Sequence, residues 1–377
     1  MSEFIPLSVP NVGSKEIEYV TDALHGGWVA AGAYIERFER DFASYAKVES
    51  AVAVQSGTAA LHLALLACGI GEGDLVLAPA LTFIASINPI RYVGAEPVFM
   101  DCDDSLCMDP AKLEQYLKEC ESRDGCLYDK TLNRPIKAIM VVHIFGNGAD
   151  MESIMAIARH YNLLVIEDAA EAVGTFYTSG KCKGLMAGTI GDCGVYSFNG
   201  NKLITTGGGG MFVAHRPELI RHVRHLAAQA KADELYFDHD EIGYNYRMTN
   251  IQAAVGVAQL EQLDAFIGIK RDNYQRYQEL GIKLLPFKNY VRPNYWFYCY
   301  IANDRDQLIK QLGECKIQTR PVWKLVHTLP MYEHCKTYNI EKAIKFYADI
   351  VNIPCSSNLT CEDVKQVAIK IQEIDMK

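Results

Sequence analysis

The sequence has little that would direct it to nucleic acid, a membrane or an oxidising compartment. Basic residues are outnumbered: 37 Lys and Arg stand against 46 Asp and Glu, a formal net charge of −9 at pH 7. A nucleic-acid binder carries a basic patch or stripe, so no nucleic-acid partner is expected, although local basic pockets for phosphates remain open. No long stretch is free of polar residues. The most apolar one, residues 51–70, holds Gln55, Ser56, Thr58 and His62, and reads as a buried strand and helix rather than a membrane span. Met1 to Pro6 offer neither a basic n-region nor an apolar h-region, so no signal peptide is expected. The 12 cysteines are scattered without a C-x-x-C pair, which fits reduced thiols in a cytoplasmic enzyme better than disulfides or a zinc site. No metal site is expected. Internal repeats and low-complexity segments are also missing.

What is present is ordinary globular material long enough for two domains: 377 residues, 49% hydrophobic and 22% charged. Strand and helix signals alternate from residue 50 to about residue 230. That alternation argues for a mostly parallel sheet covered by helices. The spacing predicts helices over Lys15–His25, Ala33–Lys47, Ala59–Cys68, Ile84–Val93, Met151–Tyr161 and Leu219–Ala232. A long helix from Asn250 is expected to continue through Lys270 to Leu280, and the domain change is placed there: 1–255, then a smaller α+β unit over 256–377. A polar insertion is read over Glu121–Asn133.

Four local features carry chemistry. Ala51 to Val54 reads as a strand, Gln55-Ser56-Gly57-Thr58 as a turn, and the following segment as a helix. Free backbone N–H groups at a positive helix end then make an anion site, a weak signal by itself because many α/β folds have such a turn. Phe83 falls where a strand feeds a helix, at the edge where open parallel sheets bind ligands. It either stacks on a planar ligand or joins the core. Leu163 to Ile166 followed by Glu167-Asp168 marks a buried strand ending in two acids, with Glu171 three residues on; either acid also suits a helix N-cap. Finally, Lys202 sits between the strand-like Val195–Phe198 and four glycines, Gly207 to Gly210, with Ser197 five residues earlier. A desolvated lysine tends to lose its proton and becomes a nucleophile toward aldehydes; on a plain turn it would merely be solvated. An anion turn, an aromatic, a strand-end carboxylate and a lysine, in this order, are what pyridoxal phosphate requires.

At these residues the chain resembles the DegT/StrS family of pyridoxal-phosphate sugar aminotransferases. The motifs are Ser56-Gly57-Thr58-Ala59-Ala60-Leu61, Pro79-Ala80-Leu81-Thr82-Phe83, Glu167-Asp168-Ala169-Ala170-Glu171, Tyr196 to Lys202, Gly207 to Gly210 and Gly243-Tyr244-Asn245-Tyr246-Arg247. The resemblance implies the fold type I aminotransferase architecture, with a seven-stranded-type sheet and a smaller C-terminal domain, in a homodimer with shared active sites. It implies Lys202 as the Schiff-base lysine and Asp168 as partner of the pyridinium nitrogen. Gly57, Thr58, Ala59 and Ser197 would hold the phosphate, Phe83 would stack on the ring, and Asn245 would reach the neighbouring subunit's phosphate. Glu171 departs from the Gln or His found in many members, beside the ring hydroxyl. Arg320, His327 and Trp28 are the expected substrate contacts. Within the family, these motifs look most like C4 aminotransferases of bacillosamine biosynthesis, acting on a UDP-linked 4-keto-2-acetamido-6-deoxy sugar with L-glutamate as donor. The alternatives are a perosamine-type or C3 sugar aminotransferase, or a silent regulatory protein on the same fold. A sugar dehydratase is disfavoured, because those relatives replace the lysine with histidine.

Overall fold

The short apolar strands of the first 215 residues lie side by side in one sheet. The computed structural model describes residues 4–375 except Glu234. Across the sheet the order is Ala51–Val54, Gly210–Ala214, Cys193–Ser197, Leu164–Asp168, Arg134–Val142, Leu75–Pro79, Glu96–Met100 and Thr337–Tyr338. Gly210–Ala214 runs antiparallel to both of its neighbours; the other pairs along this order are parallel. Val165 and Ile166 are fully buried, as a strand covered on both faces requires.

Helices cover the sheet by their apolar faces. In Ala33–Ala46 an apolar stripe is buried at Ile35, Phe38 and Phe42, while Tyr45 is only partly covered. Each large apolar side chain buried in this way contributes about 1.5–3 kcal/mol. Gly57–Ala67 starts at an N-cap, Ser56, whose side chain accepts from the Ala59 N–H at 3.1 Å. It packs on the strands Cys193–Ser197 and Gly210–Ala214.

A second, three-stranded antiparallel sheet joins Tyr298–Ile301, Ile350–Ile353 and Arg320–Pro321, with helices Arg305–Glu314 and Cys361–Asp375 packed beside it. The two sheets are stitched together. Thr337–Tyr338 returns to the edge of the large sheet, and the N-terminal arm crosses to the small one, where the Leu7 N–H donates to Gln318 Oε1 at 3.0 Å.

Several boundaries differ from the sequence expectation for visible reasons. Ile84–Val93 is two pieces, a 3₁₀ turn over Ile84–Ser86 and a short helix over Asn88–Tyr92, because Pro89 has no N–H to continue the first. The helix expected to run to Ala232 ends at Ala227. The long helix from Asn250 breaks after Leu260 and restarts at Leu263, where the Gln262 side chain takes the Ala258 carbonyl and Glu16. The polar insertion is a hairpin, Glu121–Arg123 with Cys126–Asp129, turning through Asp124 and Gly125 at positive φ. The helix Lys342–Asp349 and the strand Ile350–Ile353 carried no clear sequence signal.

Candidate active site

The C-terminal ends of the central strands and the small sheet enclose a cleft of about 570 Å³. Gly57, Thr58, Phe83, Asp168, Glu171, Ser197, Lys202 and Arg320 all line it. They come from five separate segments, so only the fold brings them together.

Two glycines make the floor possible. A β-carbon on Gly57 would lie 2.9 Å from Ser197 Cβ, and one on Gly210 would lie 2.5 Å from the Ser56 carbonyl. The close approach brings the Ser197 side chain to the N-terminus of the helix Gly57–Ala67, where backbone N–H groups attract an anion. The Ala59 N–H is already engaged by Ser56 Oγ, and Ala59 does not line the cleft.

The two acids of the buried strand part company. Glu167 is fully buried: its carboxylate accepts from His143 Nε2 at 2.8 Å and from the N–H groups of Gly188, Ile190 and Gly191 at 2.5–2.8 Å. Because His143 Nδ1 accepts the Ala149 N–H, the proton toward Glu167 sits on Nε2. Glu167 therefore ties down the loop 188–191. Asp168, pointing the other way by strand alternation, reaches the cleft, where Ser86 Oγ donates to it at 2.6 Å and the Ala170 N–H at 3.0 Å.

Lys202 stands on a turn closed by its own N–H to the Asn199 carbonyl at 2.9 Å, and its side chain is 12% exposed. Its Nζ lies 3.7 Å from Glu171 Oε1 and 4.1 Å from the centre of the Trp296 ring. Glu171 is pushed up to about 7, chiefly by burial; the Lys202 charge and the Phe145 N–H oppose that rise, and Asp168 adds to it. Phe83 is 47% exposed, tilted against Trp323 at 6.1 Å.

Trp28 and His327, like Ala59, lie outside this chain's cleft lining. Trp28 is 70% exposed, in a loop held by Asn250 Nδ2 on its carbonyl. His327 packs 6.2 Å from Phe99, away from the cleft lining, and burial lowers its pKa. Asn245 does not line this chain's cleft; its backbone bridges to Ala228. Sequence reasoning missed Ser86 and Trp296. Ser86 sits just past the recognised Phe83, inside what was read as helix. Trp296 belongs to the aromatic run Tyr295 to Tyr298, whose periodicity reads as core and says nothing of a lysine nearly a hundred positions earlier.

The family model for the DegT/DnrJ/EryC1/StrS aminotransferase family matches residues 10–372. The chain belongs to this family. The GDP-perosamine synthase of Escherichia coli O157:H7 is 41% identical over 380 residues, 98% of each chain. The crystal structure of a DegT DnrJ EryC1 StrS aminotransferase from Brucella abortus superposes with a TM-score of 0.89 at 28% identity, over 96% of each chain. A sugar aminotransferase from Streptococcus pneumoniae, solved in its PLP form, gives 0.88 at 25% identity, covering 99% of this chain and 98% of that one.

The fold is therefore that of a fold type I aminotransferase, and the chain is a pyridoxal-phosphate-dependent nucleotide-sugar aminotransferase. The cleft fits the cofactor on its own terms. The glycine-lined cradle at Gly57 would be filled by a β-carbon, and an amine, a carboxylate, a hydroxyl and a helix N-terminus line one cavity. Among the described residues no helix is long and apolar enough to cross a membrane.

Proposed function

We propose that this enzyme transfers the amino group of L-glutamate to the keto carbon of a GDP-linked 4-keto-6-deoxy sugar, giving a GDP-linked 4-amino sugar of the perosamine type. The observation that supports transamination is the meeting of Lys202 and Asp168 in one cleft. The perosamine-type substrate, the alternative expectation from the sequence, draws its support from the 41% identity to a GDP-perosamine synthase along nearly the whole chain. That relative supports it better than the UDP-linked bacillosamine-type sugar.

Bound pyridoxal phosphate would supply the electron sink that lets a proton leave Cα of the amino donor. The chain's own residues do the rest. The N–H groups at Gly57 and Thr58, with the Ser197 hydroxyl, hold the phosphate at the helix N-terminus. Asp168, oriented by Ser86 and the Ala170 N–H, keeps a proton on the ring nitrogen. Phe83 would lie against the ring. Lys202 Nζ would hold the cofactor and carry the proton to and from Cα of the donor. Arg320 meets the diphosphate.

The active unit in this reading is a cytoplasmic homodimer in which Asn245 reaches the neighbour's phosphate. Leu235, Tyr236, Phe237 and Ile242, apolar and exposed just before Gly243, support a partner at this edge.

The test is a panel of GDP-, UDP- and dTDP-linked 4-keto sugars with L-glutamate, products read by mass spectrometry. GDP-4-keto-6-deoxymannose is expected to be aminated fastest. Preference for a UDP-linked 4-keto-2-acetamido-6-deoxy sugar would restore the bacillosamine-type reading instead.

A further inference from the structure

Lys202 is clamped between two walls that are themselves tied together. One wall is the Glu171 carboxyl, with Oε1 at 3.7 Å from Nζ; the other is the face of Trp296, centred 4.1 Å away. The first distance is too long for a hydrogen bond and short enough for strong coupling of charge in a buried site. The second is a cation–π contact. Glu171 Oε2 is fixed by the Phe145 N–H at 2.8 Å, in a turn where Phe145 takes a φ of 56°, unusual for a residue with a β-carbon. Trp296 is fixed by Nε1–H to the Asn201 carbonyl at 3.0 Å, on the lysine's own turn, and by stacking on Phe297 at 4.1 Å. The fully buried Asn294 joins the two walls: Nδ2 donates to the Glu171 carbonyl at 2.8 Å, and Oδ1 accepts the Trp296 N–H at 3.0 Å. A carboxyl, a ring and a bridging amide are thus arranged about one amine.

We propose that Glu171 and Trp296 are positioning residues for Lys202: ionised, Glu171 holds the lysine head group against the Trp296 face; neutral, it releases that hold. Other groups coupled to Glu171 do not blur this control. Asp168 adds repulsion, while the thiols of Cys107 and Cys299 are pushed up by burial and stay neutral. Burial brings the Glu171 titration up to about 7, so the change falls within ordinary working conditions. The inference rests on Lys202 as the working amine of the proposed transamination, but not on which nucleotide carries the sugar.

The test labels Lys202 in the full-length apoenzyme with trinitrobenzenesulfonate and reads the modified peptide by mass spectrometry at pH values below and above 7. The wild-type labelling rate should show an inflection near 7. Glu171→Gln should lose the inflection and label roughly tenfold faster above it, the change that one pK unit gives. Glu171→Asp should restore an inflection, which keeps the test open if the glutamine variant does not fold. Trp296→Phe should keep the inflection and label about threefold faster, because the weaker ring favours the ammonium less. In the holoenzyme, the pH profile of the glutamate half-reaction should lose its limb near 7 in Glu171→Gln. A folded Glu171→Gln protein with the wild-type labelling profile would overturn the role of Glu171, and a Trp296→Phe protein labelling at the wild-type rate would overturn that of Trp296. A flat profile with GDP-sugar amination intact would sink only this inference. An intact inflection with no keto sugar turned over would sink only the proposed reaction.

Discussion

Lys202 and Lys270 both lie over aromatic rings with little exposure, and of the two Lys202 lines the cleft. Lys270 is buried in the helix Leu263–Glu279, 5.6 Å over the Tyr298 ring, with Nζ donating to the Cys355 carbonyl. Burial lowers its pKa. Lys202 lies 4.1 Å over Trp296, opposite the carboxyl of Glu171, on the wall of a cavity of about 570 Å³. Both lie over an aromatic ring with little exposure, so shielding alone does not make a lysine reactive. What differs is access and the partner: Lys270 is tied to a carbonyl in a packed seam, and Lys202, the proposed working group, faces a titratable carboxyl at a cleft.

The sharpest way to break that contrast is to remove each amine. Lys202→Ala should lower turnover by about a thousandfold or more, since in the proposed reaction one group serves as nucleophile and as acid and base. Lys270→Met should leave turnover per folded molecule near the wild-type value, yet cost about 1–3 kcal/mol by orphaning the Cys355 carbonyl. Steady-state rates and urea melts of both variants check this. Loss of activity in a well-folded Lys270→Met protein would end the distinction.

The adjacent acids repeat the contrast one residue apart. Asp168→Asn should slow catalysis roughly 10²–10³-fold with little change in melting, because in the proposed reaction the ring nitrogen would lose its charged partner. Glu167→Gln should do the reverse, costing about 2–4 kcal/mol of stability, since one amide cannot accept from His143 and three backbone N–H groups as a carboxylate does. Equal catalytic damage from both would mean that strand alternation does not separate their roles.

These two acids also show how much the sequence could say. Leu163 to Asp168 announces a buried strand ending in carboxylates, and the alternation of helix and strand announces the sheet, because periodicity is a local property of the chain. The sequence sets Asp168 at the ligand edge, with a helix N-cap as the alternative for either acid, but does not show the loop 188–191 folding over Glu167. Gly57, Phe83, Asp168, Ser197 and Lys202, which the family motifs single out, line one cleft. Trp296 was illegible for the opposite reason. It meets Lys202 only because the segment before the small sheet folds back over the large one, and nothing within ten residues of either encodes that approach. His327 was drawn in by its neighbours Arg320 and Trp323, but the 3₁₀ turn Val326–Thr328 carries its ring toward Phe99 instead.

Glu171 offers a smaller and pH-dependent effect. Its folded-state value is raised from 4.5 to about 7, so the folded protein binds this proton more tightly than the unfolded chain does. Stability from that proton is present below the unfolded value and is lost as pH rises through about 7. A rise of this size corresponds to about 3 kcal/mol. Glu171→Gln should therefore melt higher than wild type at pH 8 and much like it at pH 4.5, in the absence of cofactor. Lys270 faces no such carboxylate, so Lys270→Met should show no matching step near 7. Thermal melts of the three apoproteins across this range decide the point; a Glu171→Gln curve parallel to wild type at every pH would mean that the carboxyl is not held neutral.

The smallest expected effect concerns the other cation of the cleft. Among the described residues lining it, Lys202 and Arg320 are the only Lys or Arg, and Lys202 is the proposed Schiff-base lysine. Arg320 is exposed, on a two-residue strand paired to Asn352 and Val351, with no carboxylate partner among the described residues. With the chain at −9 overall, a nucleotide diphosphate needs a local cation, and a guanidinium binds phosphate in a forked pair of bonds. Arg320→Ala should raise the KM for the sugar nucleotide about tenfold, the loss of roughly one charge-assisted contact. Arg320→Lys should recover part of it, as a point charge without the fork. His327→Ala should change that KM by less than about twofold, because a ring packed on Phe99 and kept neutral by burial has no charge to offer the diphosphate. Single-turnover measurements of each half-reaction separate the readings. The glutamate half should be untouched by Arg320→Ala if the arginine serves the nucleotide. Slowing of both halves alike would make Arg320 a support of the cleft rather than a substrate contact, and would leave Lys202 as the single working cation of the site.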